Sequence, residues 1–249
     1  MNNLTLITCS YNTPDYLITM LRSFVSLHGF DKQKIIIMEN STNEETAIQL
    51  TAQGIPFFCN QVGTHSPALS EALKLCQTKY ALVVDSDIVF KKNITPLLNV
   101  LIHHEAAIMG TSVGNVGQYR LKRRICPWFF LVDIEQLKVH KISFHNQAKI
   151  DSAIGSEHFF KNIPFNPNAN NRVPMYDVGS TFYEDITEAK LKILDLKTIE
   201  EYYLHFAGAS WMNNINAFDC KAHYKTQNKL FKEIEAQLAN INIKNIFEA

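Results

Sequence analysis

An α/β fold with a mostly parallel sheet is what this sequence predicts, on two observations. Between residues 4 and 90, apolar runs of strand length alternate with segments of helical periodicity, the pattern of β-α-β units joined by right-handed crossovers. The last of these runs, 81–90, is apolar except at Asp85, Ser86 and Asp87. A strand covered on both faces reads as such a run, and its acidic residues then fall at the carboxyl edge, where open α/β sheets bind ligands.

Taken in order, residues 4–9 read as a first strand and Ser10-Tyr11-Asn12-Thr13-Pro14 as a turn and helix start. Residues 15–28 follow as an amphipathic helix with Leu17, Met20, Leu21, Phe24 and Leu27 on one face. A second strand over 34–38 leads through a polar turn, 39–43, into a helix over 44–53 that Gly54 ends. A third strand, 55–59, passes through 60–66 into a helix over 67–77, and the Asp-Ser-Asp run comes next. The four strand-end loops converge at one edge and carry Ser10 to Asn12, Glu39 to Ser41, Asn60 to Ser66 and Asp85 to Asp87, a set rich in hydrogen-bonding groups. No GxGxxG or GxxxxGK[ST] follows the first strand, which removes the main support for a Rossmann dinucleotide site or a P-loop.

Beyond residue 95 a helical stretch runs to His104 and a strand covers 106–109; shorter, less regular segments with aromatic clusters follow. Residues 162–174, rich in Asn and Pro, read as a loop, and 221–247 as helical or partly loose. Neither an internal repeat nor an interdomain linker is evident, so one continuous domain is expected.

Composition narrows the function classes. Of 249 residues, 46% are hydrophobic, enough for a substantial core. Lys+Arg and Asp+Glu number 24 each, so no global field draws nucleic acid to the chain. Five cysteines, Cys9, Cys59, Cys76, Cys126 and Cys220, lack CxxC spacing, which points away from a zinc knuckle or a disulfide framework and towards a reducing cytoplasm. The start of the chain enters a strand pattern with no basic and apolar leader, and no run of apolar residues is long enough to span a bilayer.

The chemistry sits at Asp85-Ser86-Asp87. Carboxylates one residue apart repel and are costly to desolvate, so a cation belongs between them, and a hard divalent metal with oxygen ligands suits. The plainer reading is a solvated turn after a strand. Against it, the motif continues into apolar Ile88-Val89-Phe90 rather than Gly, Pro or Asn turn chemistry.

These residues carry a resemblance. The opening Leu6-Ile7-Thr8-Cys9-Ser10-Tyr11-Asn12, the second-strand end Met38-Glu39-Asn40-Ser41-Thr42, the segment Asn60-Gln61-Val62-Gly63 and Asp85-Ser86-Asp87 as a DxD motif resemble family 2-type glycosyltransferases with the nucleotide-diphospho-sugar transferase (GT-A) fold. The resemblance covers the first hundred or so residues. In the second half it rests on Tyr176-Asp177-Val178-Gly179 and His205-Phe206-Ala207-Gly208-Ala209-Ser210-Trp211. Glu39 stands where the family more often has Asp, which keeps the carboxylate but lengthens its reach by one methylene.

The resemblance implies a single GT-A domain. Residues 1–105 would form its nucleotide-sugar-binding half, 106–220 its acceptor-binding half and 221–249 a helical tail. It further implies that Thr8, Ser10 and Asn12 line the nucleotide pocket, that Glu39 contacts base or ribose, and that Asn60, His65 and Ser86 join Asp85 in binding the nucleotide-sugar. Mn²⁺ or Mg²⁺ on the diphosphate would be held by Asp85 and Asp87 with His205 as an extra ligand. Taken alone, His205 in its aromatic surroundings reads as a core residue rather than a ligand, and it is the Gly208-Ala209-Ser210-Trp211 that follows which brings the ligand reading level.

Asp177 is the candidate general base, able to take the proton of an attacking hydroxyl, or else a turn or cap carboxylate before Gly179. Asp133, Asp151, Glu157 and Asp185 are rivals for the role. The run Arg120-Leu121-Lys122-Arg123-Arg124 before Ile125-Cys126-Pro127-Trp128-Phe129-Phe130 reads as a solvated loop beside core aromatics, or as a contact with an anionic glycolipid at a membrane surface. His103 and His104 read as surface residues.

The expected activity is transfer of a sugar from a nucleotide-diphosphate donor to a glycan or glycolipid hydroxyl; the resemblance implies inversion, with retention as the alternative. Its setting would be surface-polysaccharide or glycoconjugate assembly, in the cytoplasm or at the inner face of the membrane. Two rivals are a nucleotidyltransferase that makes activated sugars, whose Arg-containing glycine-rich first loop is missing after Cys9, and a non-catalytic glycan- or nucleotide-binding protein of the same fold.

Overall fold

Strand β1 (Leu4–Ser10) is buried along its whole length and is the axis on which the sheet is built. The computed structural model describes residues 3–28, 34–59, 65–114, 122–153, 176–206 and 221–243. Among these, β1 leads into α1 (Pro14–His28), whose proline takes the first helical position, where a missing N–H costs nothing. β2 (Ile35–Glu39), α2 (Glu45–Ala52), β3 (Phe58–Cys59), α3 (His65–Leu75) and β4 (Tyr80–Asp85) complete the alternating part.

The main sheet has seven strands in the order β3-β2-β1-β4-β7-β6-β8, with β6 (Ile108–Val113), β7 (Arg124–Asp133) and β8 (Ile193–Asp195) beside β4. β7 pairs antiparallel with both its neighbours, and all the other pairings are parallel. The expected mostly parallel α/β sheet is therefore present. Helices cover both faces. On one side α1, α2 and α4 (Thr95–His103) pack Leu17, Phe24, Leu50 and Leu101 against Leu6, Val84 and Phe129. On the other, α3, α5 (Ile134–Val139) and α7 (Ser180–Glu188) pack Leu69, Leu137 and Phe182 against Ile7, Val83 and Phe130. Double coverage is what lets these strands be apolar at every position.

Three features differ from the expectation. The run 81–90 is not one strand: the chain turns at Ser86 and Asp87, and Ile88–Phe90 leaves the sheet as β5. There it pairs antiparallel with β9 (Tyr203–His205) in a separate two-stranded ribbon. And 124–133, expected only as a short irregular segment where the basic run 120–124 meets core aromatics, is β7, the longest described strand, with Phe129 and Phe130 fully buried. Phe129 and Phe130 serve the two cores, one on each face of the sheet.

The third strand is shorter than expected, two exposed residues at the sheet edge. The remaining helices are α6 (Gln147–Ala153) and α8 (Lys221–Leu238), and no described helix is long and apolar enough to cross a membrane.

Candidate functional site

Register sets the site at one edge. Cys9 lies opposite Asp85 and Ser10 opposite Glu39, so the carboxyl ends of β1, β2 and β4 finish side by side. Past Asp85 the β5–β9 ribbon takes over. Ile88 pairs with His205, and Phe206 N–H donates to the Asp87 carbonyl at 2.9 Å, which fixes His205 against the turn despite the long sequence separation.

His205 Nε2 lies 3.3 Å from Asp87 Oδ1 and 3.9 Å from Asp85 Oδ2. One ligand atom from each of Asp85, Asp87 and His205 can be chosen so that all lie within 4.8 Å of one another. His65, at the start of α3, closes the other side, with Nε2 3.6 Å from Asp85 Oδ1.

Burial raises the Asp85 pKa, and the Asp87 charge adds to the rise; His65 and His205 oppose it. Burial by itself would lower the His205 pKa, but contact with Asp87 and the charge of both aspartates outweigh it and the pKa is raised. Beneath them, burial and the charges of Asp85 and Glu39 push the Cys9 thiol well above its ordinary value, which makes it a structural hydrophobe. The shifts of Asp85, His205 and Cys9 all reflect crowded negative charge in buried surroundings.

A divalent cation fits that set. Asp85 Oδ1, Asp87 Oδ1 and His65 Nε2 are buried with no hydrogen-bond partner among the described residues. Buried polar atoms rarely stay unpaired, and carboxylates crowded together in a buried site are what a cation resolves. Two carboxylates and one imidazole give a mixed oxygen and nitrogen donor set.

The polar rim continues over β1 and β2. Thr8 is fully buried one pair in from the edge, and its Oγ1 lacks a partner among the described residues. Ser10 stands beside the Glu39 carboxyl group, which also accepts from Ser41 N–H at 2.7 Å through Oε1. Burial raises the Glu39 pKa more than these hydrogen bonds lower it.

Asn12 adopts φ 54, a left-handed conformation that Asn tolerates better than most residues. Its N–H donates to Ser41 Oγ at 2.7 Å, and its amide exchanges hydrogen bonds with Thr42, locking the first two loops together. Ser86 is turned inward, its hydroxyl 2.9 Å from that of Thr13. Asn60 lies outside the described residues, as do Gly208 to Trp211. His103 and His104 are exposed at the end of α4.

Asp177 stands apart from the metal-ligand group but at the same edge. It forms an ion pair through Oδ2 with Arg124 at the start of β7, and its Oδ1 accepts from Val178 N–H at 2.8 Å. Arg124 precedes by four residues Trp128, the residue next to the end of β4, a strand distance of about 13 Å. The rival carboxylates are placed otherwise. Asp133 pairs with Tyr80 at the opposite end of β4 and caps α5; Asp185 binds Lys149 and Asn146; Asp151 is an exposed partner of Gln147. Glu157 lies outside the described residues.

In the basic run, Lys122 pairs with Glu184, Arg123 with Asp195 and Arg124 with Asp177; Arg120 lies outside the described residues. Each described cation is thus matched to a carboxylate of the chain itself.

The family model for glycosyl transferase family 2 matches residues 5–160, which is more than half of the chain and contains the DxD turn and the loops around it. The chain belongs to glycosyl transferase family 2. No curated protein sequence matches it.

Among solved structures this glycosyltransferase is similar in fold to the galactosyltransferase LgtC in complex with donor and acceptor sugar analogs, at 11% identity and TM-score 0.51, covering 96% of this chain and 98% of that one. It is also similar to the glycosyltransferase GlyE of Streptococcus pneumoniae, at 11% identity and TM-score 0.50, covering 97% and 64%. A mannosyltransferase from Pyrobaculum calidifontis in complex with GDP-Man and Mn²⁺ matches 55% of this chain at 13% identity and TM-score 0.42, and the match spans less than half of that protein, 46%. At these identities the first two likenesses establish the GT-A fold alone.

Sequence reading missed Arg124 as a partner of Asp177, and Trp128 as a neighbour of His205. Their signal was present in the ten residues of β7, but it was masked by the basic residues that precede the apolar run. Asn40, whose Oδ1 is buried with no hydrogen-bond partner among the described residues, faces the same edge.

Proposed function

We propose that this family 2 enzyme transfers a sugar from a nucleoside-diphosphate donor to a hydroxyl of a glycan or glycolipid, with inversion, using a divalent cation held by Asp85, Asp87 and His205. The observation that carries the reading is that group of three, drawn together at the carboxyl edge with buried carboxylate oxygens that have no hydrogen-bond partner among the described residues. One imidazole among the donors favours Mn²⁺ over Mg²⁺, which prefers an all-oxygen shell. When bound, the cation neutralises negative charge on the departing nucleoside diphosphate.

The chain's own residues do the rest. Thr8, Ser10 and Glu39 form the nucleotide wall, while Asn12 shapes it by tying the first loop to Ser41 and Thr42. His65, partly exposed beside Asp85, reaches the phosphates or the sugar. Ser86 holds the turn to the start of α1 so that Asp85 and Asp87 keep their separation.

Asp177 is the base. Among the described rivals it alone lies on the side where β4 ends, and its pairing with Arg124 aims the carboxylate. From there it takes the acceptor proton as the hydroxyl attacks the anomeric carbon from the side opposite the diphosphate. The acceptor is held by residues of 106–220, in surface-polysaccharide or glycoconjugate assembly on the cytoplasmic side.

The test is transfer or slow donor hydrolysis across a panel of UDP-, GDP- and dTDP-sugars with Mn²⁺, Mg²⁺ or EDTA, for the wild type and Asp177→Asn. Metal-dependent turnover of one donor, lost in Asp177→Asn while donor binding persists, is expected. Turnover that survives Asp177→Asn would reject the base. Donor binding without turnover of any donor would favour a non-catalytic protein.

A further inference from the structure

We propose that Trp128 is a positioning residue for the metal site, fixing the His205 ring in the orientation that meets Asp85 and Asp87. The inference rests on the metal reading above and extends it to a side chain outside the ligand group of Asp85, Asp87 and His205.

His205 is carried by β9, a strand of three residues in a ribbon of three pairs, and a two-stranded ribbon has little rigidity of its own. Its ring must therefore be held from outside the ribbon. Trp128 does this in two ways. The indole stacks on the imidazole with centroids 5.3 Å apart and planes inclined by 26°. Its Nε1–H donates to Tyr203 Oη at 3.1 Å, which anchors the other end of β9. Tyr203 is in turn stacked on Phe129, the neighbour of Trp128 in β7, with centroids 4.6 Å apart and planes inclined by 10°.

β7 is hydrogen-bonded along the length of β4, and its Phe129 pairs with Val84. Trp128 therefore stands beside the end of the strand that carries Asp85. One rigid pair of strands thus supplies both the carboxylate and the wall against which the histidine lies, although His205 is remote from both in sequence. Packing on one ring face leaves Nε2 directed at the carboxylates, 3.3 and 3.9 Å away. A free imidazole would have to give up rotamer freedom on each binding event. Supports of this kind are worth about 10- to 100-fold in metal affinity.

The test is Mn²⁺ affinity, read from the electron paramagnetic resonance of free Mn²⁺, with and without UDP, GDP or dTDP. It is applied to the wild type, Trp128→Phe, Trp128→Leu, His205→Ala and the double variant Trp128→Leu/His205→Ala. Trp128→Leu should weaken Mn²⁺ binding about tenfold or more. Trp128→Phe, which keeps an aromatic face, should restore most of it. In the His205→Ala background, Trp128→Leu should add less than about threefold, because its effect passes through the histidine. Full additivity, or unchanged affinity in Trp128→Leu, overturns the proposal.

A second measurement leaves Trp128 in place. The chain has two tryptophans, so Trp211→Phe makes Trp128 the only indole. Its emission should change on Mn²⁺ binding, and the change should vanish in Trp211→Phe/His205→Ala. An indole silent to Mn²⁺ that resonance shows to be bound overturns the proposal even if Trp128→Leu does not fold. A wild type that takes up no Mn²⁺ under any of these conditions instead rejects the metal reading itself.

Discussion

Replacing Gly179 by alanine separates two costs that a second glycine allows to be measured apart. Gly179 has φ +84 and precedes α7; a Cβ there would lie 2.7 Å from the Ile125 carbonyl oxygen, a backbone atom that cannot swing aside. Gly54 has φ +67 at the end of α2, and a Cβ there meets nothing within 4 Å. The left-handed conformation costs an alanine about 1–2 kcal/mol, part of which is offset by the lower entropy of the unfolded chain, so Gly54→Ala should lose about 1 kcal/mol. Gly179→Ala carries the same term and adds an overpacking term of about 1–3 kcal/mol, for a total of about 2–4 kcal/mol.

Urea denaturation of both variants gives the difference directly, and at this chain length each kcal/mol lowers the melting temperature by about 2–4 °C. The displacement also moves Asp177, two residues away, so transfer should fall in Gly179→Ala while Mn²⁺ affinity holds. Equal losses of stability for the two glycines would refute the reasoning, since the close approach to Ile125 would then impose nothing.

Other outcomes follow from the charges. The raised pKa of His205 and of Asp85 means that both hold protons at higher pH than usual, and a cation needs both deprotonated. Mn²⁺ affinity should therefore rise as pH increases through these values and then level off; a titration flat between about pH 5.5 and 8.5 would contradict it. Arg124→Met leaves the Asp177 carboxylate without its partner at a site where the side chains are 12% and 26% exposed, so the loss is discounted for screening to about 1–3 kcal/mol. Adding Asp177→Asn should recover much of that loss in urea denaturation, and simple additivity would count against a direct pairing. Gly110→Ala, whose Cβ would lie 2.9 Å from Phe130 Cβ across the β6–β7 pair, should cost about 1–3 kcal/mol by the same measurement, and a neutral result would mean the strands can part.

What the sequence made legible is what short-range pattern can encode. β1, β2, β4 and the helices between them announce themselves because each apolar run is bounded by its own turn chemistry, and the DxD turn stands out because carboxylates interrupt such a run. The departure of β5 from the sheet was hidden, because Ile88-Val89-Phe90 is as apolar as β4, and only its partner Tyr203–His205 decides where it goes. β7 was hidden for a related reason. Its pairing partners, β4 and β6, are set by topology, and the Lys122-Arg123-Arg124 run drew attention to charge while each of those cations was destined for a distant carboxylate. His205 entered through the family resemblance, whereas its support by Trp128, 77 positions earlier in the numbering, leaves no local trace.

The central claim is that Asp85, Asp87 and His205 form a cation site through which a nucleoside diphosphate is bound. Calorimetric titration of UDP, GDP and dTDP, each with Mn²⁺ and with EDTA, into the wild type and the Asp85→Ala/Asp87→Ala variant tests it most directly. The account predicts that one nucleotide binds with Mn²⁺, that EDTA abolishes this binding, and that the variant lacks it. Equal binding with EDTA, or binding unchanged in the variant, would contradict the claim and return Asp85-Ser86-Asp87 to a turn without a ligand.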